Sequence, residues 1–120
     1  IGKKIPFVRE EMKMKKALSI ITKKKLGVLI VQNKKGLTKG IITDGQIRRT
    51  NLNNPNLQNL IVQKVMTKNP INIDRNELAA KALSIMNSKK ITSLCVFDKK
   101  NKNKTIGILH IHNILNSNVS

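Results

Sequence analysis

The chain is written twice, and any fold proposed for it has to use the same short plan two times over. Ala17-Leu18-Ser19-Ile20 returns as Ala82-Leu83-Ser84-Ile85, a shift of 65 positions. By the same shift Met14, Ala17, Leu18 and Ile21 map onto Ala79, Ala82, Leu83 and Met86. Both sets have the i, i+3, i+4, i+7 spacing of one apolar helix face. Leu29 and Val31 fall on Leu94 and Val96 at that offset, whereas Gly40-Ile41 meets Gly107-Ile108 at a shift of 67. The second copy therefore carries two extra residues in the intervening turn. One copy of about 55 residues buries only a modest fraction of its surface, so the two halves are expected to pack on each other. A ligand is then expected in or near the seam between them.

Each half reads β-α-β-β-α. In the first, Ile5-Pro6-Phe7-Val8 is a short extended segment. A helix follows over 11–24, and Val28-Leu29-Ile30-Val31-Gln32 is a continuous apolar run of buried-strand type. Asn33-Lys34-Lys35-Gly36 has turn chemistry, and 37–43 makes the returning strand. Asp44 is placed as N-cap of a helix reaching about Leu52. The polar, Pro55-containing stretch reads as a linker, with a short helical turn at 60–66. The boundaries are drawn as 1–54 for the first half, 55–65 for the linker and 66–120 for the second half. In the second half the strands are set at 71–73, 93–97 and 105–111, with helices at 77–88 and from Asn113 onward. Apolar helix faces of this kind need sheets to cover, which makes the class α/β, two pseudo-twofold halves packed through their sheets.

Composition narrows the function classes. The core has to be built from Ile, Leu, Val and Met, because only 2% of residues are aromatic. No apolar run approaches the roughly 20 residues needed to cross a bilayer. The opening Ile1-Gly2-Lys3-Lys4 lacks a signal peptide's apolar stretch, and a first residue other than Met suggests a piece of a longer polypeptide. The lone Cys95, inside the run 94–97, reads as a small buried hydrophobe of a protein kept in a reducing cytoplasm. A net charge of +18 would suit nucleic acid. Against that, the lysines are spread over every face, and no Trp or Tyr is present to stack on bases. The abundance of Lys, Asn and Ile, all with A/T-rich codons, accounts for much of the charge without any polyanionic partner. Attraction of a small anionic ligand stays open.

No paired carboxylates, nucleophile motif or phosphate-cradling loop is present, so no catalytic residue is assigned. His110 and His112 without a third ligand make no metal site, and no cofactor is required. The sharper signal lies at two strand-to-helix junctions, Gly40-Ile41-Ile42-Thr43-Asp44-Gly45-Gln46-Ile47-Arg48-Arg49 and Gly107-Ile108-Leu109-His110-Ile111-His112-Asn113-Ile114-Leu115. A strand that ends at a helix N-terminus presents unpaired N–H groups and the positive end of the dipole, which suits a phosphate or a sugar hydroxyl. Thr43 and Asp44 are equally well explained as helix capping, and Arg48 and Arg49 as solvated charges.

The repeat with its G-h-h-T-D-G-x-h-R-R string, and Val65-Met66-Thr67-Lys68-Asn69-Pro70 opening the second copy, resembles a tandem pair of cystathionine-β-synthase (CBS) domains. Thr43-Asp44-Gly45-Gln46-Ile47-Arg48-Arg49 with His112-Asn113-Ile114-Leu115 further resembles the C-terminal pair of arabinose-5-phosphate isomerase family enzymes. In that family a preceding sugar isomerase domain converts ribulose 5-phosphate to arabinose 5-phosphate, on the way to the Kdo sugar of lipopolysaccharide. The resemblance implies a regulatory or assembly segment that binds a nucleotide or nucleotide-sugar effector, in a chain that pairs as a homodimer. A self-association module with no ligand is the alternative. Usual nucleotide-binding copies place Ser or Thr at the strand end and Asp three residues later, on the ribose hydroxyls. Here those positions hold Thr43 and Gln46, then His110 and Asn113, so a charge-assisted acceptor for a diol is missing. Ligand residues expected on this basis are Thr43, Asp44 and Gln46 at one cleft, and His110, His112 and Asn113 at the other. Lys4, Ile5 and Pro6, and Asn69, Pro70 and Ile71, would wall the clefts.

Overall fold

A computed structural model describes residues 5–24 and 27–111. The chain divides into two compact units, the first ending at Pro70 and the second opening at Ile71. The first unit runs β1 (Phe7–Arg9), α1 (Met14–Lys24), β2 (Val28–Gln32), β3 (Thr38–Thr43) and α2 (Asp44–Asn53). A 3₁₀ turn (Leu57–Asn59), a single-turn helix α3 (Val62–Val65) and a two-residue strand β4 (Thr67–Lys68) complete it. Its sheet has the order β1-β2-β3-β4, with β1 parallel to β2 and the other pairs antiparallel. The second unit runs β5 (Asn72–Asp74), α4 (Ala79–Lys89), β6 (Ser93–Phe97) and β7 (Gly107–His110), with the sheet order β5-β6-β7.

The repeat seen in the letters is repeated in the register. Phe7 pairs with Ile30 as Asn72 pairs with Cys95, and Val8 with Val31 as Ile73 with Val96. Across the hairpins, Leu29 faces Ile42 as Leu94 faces Leu109, and Val31 faces Gly40 as Val96 faces Gly107. A one-residue slip would turn every apolar side chain to the wrong face, so the hydrophobic pattern itself fixes this alignment. Each unit then owns a core. The first gathers Val8, Met14, Ala17, Ile21, Leu29, Val31 and Ile42; the second gathers Ile73, Ala82, Met86, Leu94 and Val96. Leu18 and Ile85 pack partly buried against them.

Strands β2 and β6 have the expected limits, and several other boundaries move. Helix α1 begins at Met14, not Glu11, because the Met12 N–H closes a turn onto the Arg9 carbonyl and Lys13 bridges to Ile61. Helix α4 begins at Ala79, not Glu77, because Asp74 accepts from Asn76 through its carboxylate (2.8 Å) and from Glu77 through its carbonyl (3.0 Å). Strand β7 ends at His110, and the closing helix from Asn113 lies outside the described residues. The stretch read as a linker puts Leu57, Val62 and Val65 into the first core. Backbone bonds from Met14 to the Leu60 carbonyl (2.8 Å), from Val62 to Met12 (2.7 Å) and from Gln63 to Glu10 (3.0 Å) hold it there.

Cys95 is buried in β6, as its apolar neighbours imply, and burial pushes its thiol up to about 11 despite a hydrogen bond with Thr105. The nucleophile in alkylation is the thiolate. Iodoacetamide at pH 8 is therefore expected to leave Cys95 unmodified in the native protein and to modify it on addition of denaturant. Mass spectrometry of the quenched samples reads both states.

Candidate functional site

The first corner is built where β3 hands over to α2. Thr43 is the helix N-cap, with extended backbone (φ −119°, ψ 159°). Its Oγ1 accepts from the Gln46 N–H (3.3 Å), and its own N–H donates to Gln46 Oε1 (3.4 Å). This is a capping box, and it moves the cap one residue back from the expected Asp44. Asp44 is instead the first helical residue, where a carboxylate favours the positive end of the dipole. Its N–H donates to the Gly27 carbonyl (3.0 Å), and its Oδ2 lies 2.9 Å from where a side-chain carbon on Gly27 would stand. Gly27 has φ +70°, so the left-handed backbone and the close carboxylate both call for glycine there. Thr43→Ala is expected to cost about 1 kcal/mol of stability through the lost cap, read as a lowered urea midpoint by circular dichroism.

One turn on, the arginines set aside as solvated charges lean back towards this helix end. Arg49 Nη1 and Arg48 Nη2 lie 3.4 and 3.8 Å from the position of a β-carbon on Gly45. Two guanidinium groups beside the amino end of a helix oppose its dipole, and Asp44 offsets only one of them. The corner thus combines a carboxylate acceptor, a hydroxyl and a net positive rim, which suits a ligand carrying both hydroxyl groups and an anionic group. The doubled arginine in the sequence carried this signal.

The second corner repeats the backbone of the first. The Ile111 N–H donates to the Thr92 carbonyl (2.8 Å) as Asp44 donates to Gly27. His110, half-buried, ends β7 opposite buried Ser93, as Thr43 ends β3 opposite Val28. The strand entries match as well: the Pro6 carbonyl accepts from Ile30 (3.0 Å) and the Ile71 carbonyl from Cys95 (3.2 Å). In the first sheet, Ile5 and Pro6 at the start of β1 therefore lie at the same end of the sheet as Thr43, separated by β2. Ile71 and His110 share the corresponding end of the second sheet. Asn69 (φ 51°) and Pro70 close the first unit. Lys4, His112 and Asn113 lie outside the described residues.

An open groove of about 370 Å³ between α1, α2 and the 3₁₀ turn is lined by Leu18, Ile47, Leu57, Asn56, Gln58 and Asn59 together with Pro55. It includes none of the expected ligand residues. Among the described residues, no group of three or more His, Cys, Asp or Glu side chains could hold a metal ion, and no helix is long and apolar enough to cross a membrane.

Two β-α-β-β units with the same register and the same strand-to-helix corner define a tandem repeat module of α/β class. The chain belongs to the CBS domain family, whose model matches residues 1–52 and 62–119. Over 118 residues it is 36% identical to arabinose 5-phosphate isomerase KdsD of Yersinia pestis and 33% identical to the Escherichia coli K12 enzyme, 98% of the chain being covered in each case. It is 38% identical over 119 residues to an uncharacterized protein of Rickettsia prowazekii. The chain spans about a third of the length of these relatives, 35–36%. Among solved structures it resembles a CBS-domain containing protein from Agrobacterium tumefaciens (TM-score 0.86, 19% identity, 95% of this chain and 84% of that one). A CBS domain protein from Pyrobaculum aerophilum, solved in complex with AMP, gives TM-score 0.84 at 14% identity, covering 94% of this chain and 85% of that one.

Proposed function

We propose that this chain is the ligand-sensing regulatory module of a sugar-phosphate isomerase of the arabinose 5-phosphate isomerase kind. The observation that carries the reading is the β3–α2 corner, where Arg48 and Arg49 lean towards the amino end of α2 beside the Asp44 carboxylate. The ligand is an anionic metabolite with free hydroxyls, a nucleotide or nucleotide sugar. Its phosphate meets the guanidinium groups, and its hydroxyls donate to Asp44 and exchange hydrogen bonds with Thr43. His110, with His112 and Asn113 following it, serves the second corner, and the strand entries at 4–6 and 69–71 flank the two. Identity to about a third of each KdsD enzyme, over 98% of this chain, supports a sugar isomerase domain as partner in the same polypeptide. The AMP-bound Pyrobaculum protein, and a CBS domain pair solved with 5′-methylthioadenosine and S-adenosylmethionine, support the ligand class. The setting is cytoplasmic, the chain pairs as a homodimer, and the pathway served is that of lipopolysaccharide sugars.

Sensing of this kind requires that the ligand bind two arrangements of the module with different affinity. Calorimetric titration and thermal shift with a panel of nucleotides and nucleotide sugars test it. A ligand at 100 times its dissociation constant is expected to add about 2.7 kcal/mol of stability, and Arg48→Gln with Arg49→Gln to remove most of that gain. Neither heat nor stabilisation across the panel, together with a stable dimer in sedimentation, would replace sensing by the alternative role of assembly.

A further inference from the structure

We propose that Gln46 is a positioning residue: its side chain ties the β3–α2 corner to the segment 66–68, through which the chain passes into the second unit. One end of the amide belongs to the corner, where Oε1 accepts from the Thr43 N–H (3.4 Å). The other end crosses to a different element, where Nε2 donates to the Val65 carbonyl (2.7 Å). Val65 is the last residue of α3, so its carbonyl is one of the groups that a helix end leaves without an intrahelical partner. A single side chain thus faces an N–H at the start of one helix and a C=O at the end of another. At neutral pH a primary amide serves both, because it carries an acceptor and a donor on one carbon. A carboxylate keeps the first bond and repels the Val65 carbonyl. An ammonium makes the second and loses the first.

What the tie holds is short and otherwise lightly anchored. Strand β4 has two residues, pairs among the described residues only with β3, at Gly40 and Ile41, and is exposed. Ile71, where the second unit begins, follows three residues after its end. A change at the corner that draws on the Gln46 amide is therefore felt by β4. This deepens the sensing reading, and its test needs no ligand, so that a failed titration and a failed tie are separate results.

The test is amide hydrogen exchange of the full-length protein in wild type, Gln46→Glu and Gln46→Met. At pH 7 both variants are expected to lose about tenfold in protection over Thr67–Lys68, the effect of one hydrogen bond, with Ser93–Phe97 unchanged. As the pH falls through the carboxyl range, about 4.3 for a free Glu, the protonated side chain of Gln46→Glu regains a donor for the Val65 carbonyl. Protection then returns towards wild type, while Gln46→Met does not recover. Wild-type protection in Gln46→Glu at pH 7, or parallel recovery of both variants in acid, would overturn the proposal.

Discussion

Leu94→Ala is expected to loosen the second unit far more than Leu29→Ala loosens the first, although the two leucines occupy the same place in the repeat. Both are fully buried, on equivalent strands, facing equivalent partners in Leu109 and Ile42. Truncating a buried leucine costs about 2–5 kcal/mol, the lost transfer energy plus the cavity, and that cost is similar at both sites. What differs, among the described residues, is the size of the core that absorbs it: the first joins ten buried residues, three of them from the 57–65 segment, against five in the second. Since a whole domain is stable by only about 5–15 kcal/mol, the smaller core has less left after the loss. The chain has no Trp or Tyr, so the readout is amide exchange and circular dichroism. Leu94→Ala is expected to raise exchange across Ser93–Phe97 and Gly107–His110 while Val28–Gln32 keeps its protection. Leu29→Ala is expected to lower the urea midpoint with part of the protection in Val28–Gln32 retained. Equal loosening of the two sheets by either variant would contradict this account.

How much of this was legible beforehand depended on whether a residue's partners were close in sequence. Strands β2 and β6 announced themselves through uninterrupted apolar runs, and the turn residues that follow each marked β3 and β7 as their returning strands. The short helical turn expected at 60–66 is present as α3, but the burial of the 57–65 segment was hidden by its own composition. Asn, Gln and Pro around Leu57 look like linker chemistry, and Val62 and Val65 are too few to show a period. Their burial depends on backbone bonds to residues 10–14, a pairing across some fifty positions that no local pattern encodes. Strand β4 was unreadable for the same reason, two exposed residues being below any periodic signal. At the corner, Thr-Asp-Gly-Gln was legible as a helix start. Which residue capped it was not, because Ser, Thr, Asp and Asn serve almost equally well. The backward lean of Arg48 and Arg49 over their own helix is the ordinary direction of long helical side chains, whereas the reach of Gln46 to Val65 belongs to tertiary structure alone.

The segment that sequence could not place also makes two repeat-equivalent glycines behave differently. A β-carbon on Gly40 would stand 2.6 Å from Met66 Sδ and 2.8 Å from the Thr67 carbonyl oxygen, closer than such atoms approach. The sulfur can swing away. The carbonyl cannot, because it belongs to the backbone that pairs with β3 at this very residue. At Gly107 the nearest atoms among the described residues are the β- and γ-carbons of Val96, at 3.6 and 3.9 Å, which is ordinary contact. Gly40→Ala is therefore expected to cost about 1–3 kcal/mol, the usual penalty of overpacking. Gly40→Val is expected to detach β4 from the sheet altogether, seen as lost exchange protection over Thr67–Lys68. Gly107→Ala is expected to stay within about 0.5 kcal/mol of wild type, or to gain slightly from a stiffer unfolded chain. Urea denaturation of the three variants side by side decides the matter. Equal penalties at Gly40 and Gly107 would mean that the repeat, not the connector, sets the demand for glycine, and the close approach of 66–68 to β3 would have to be abandoned.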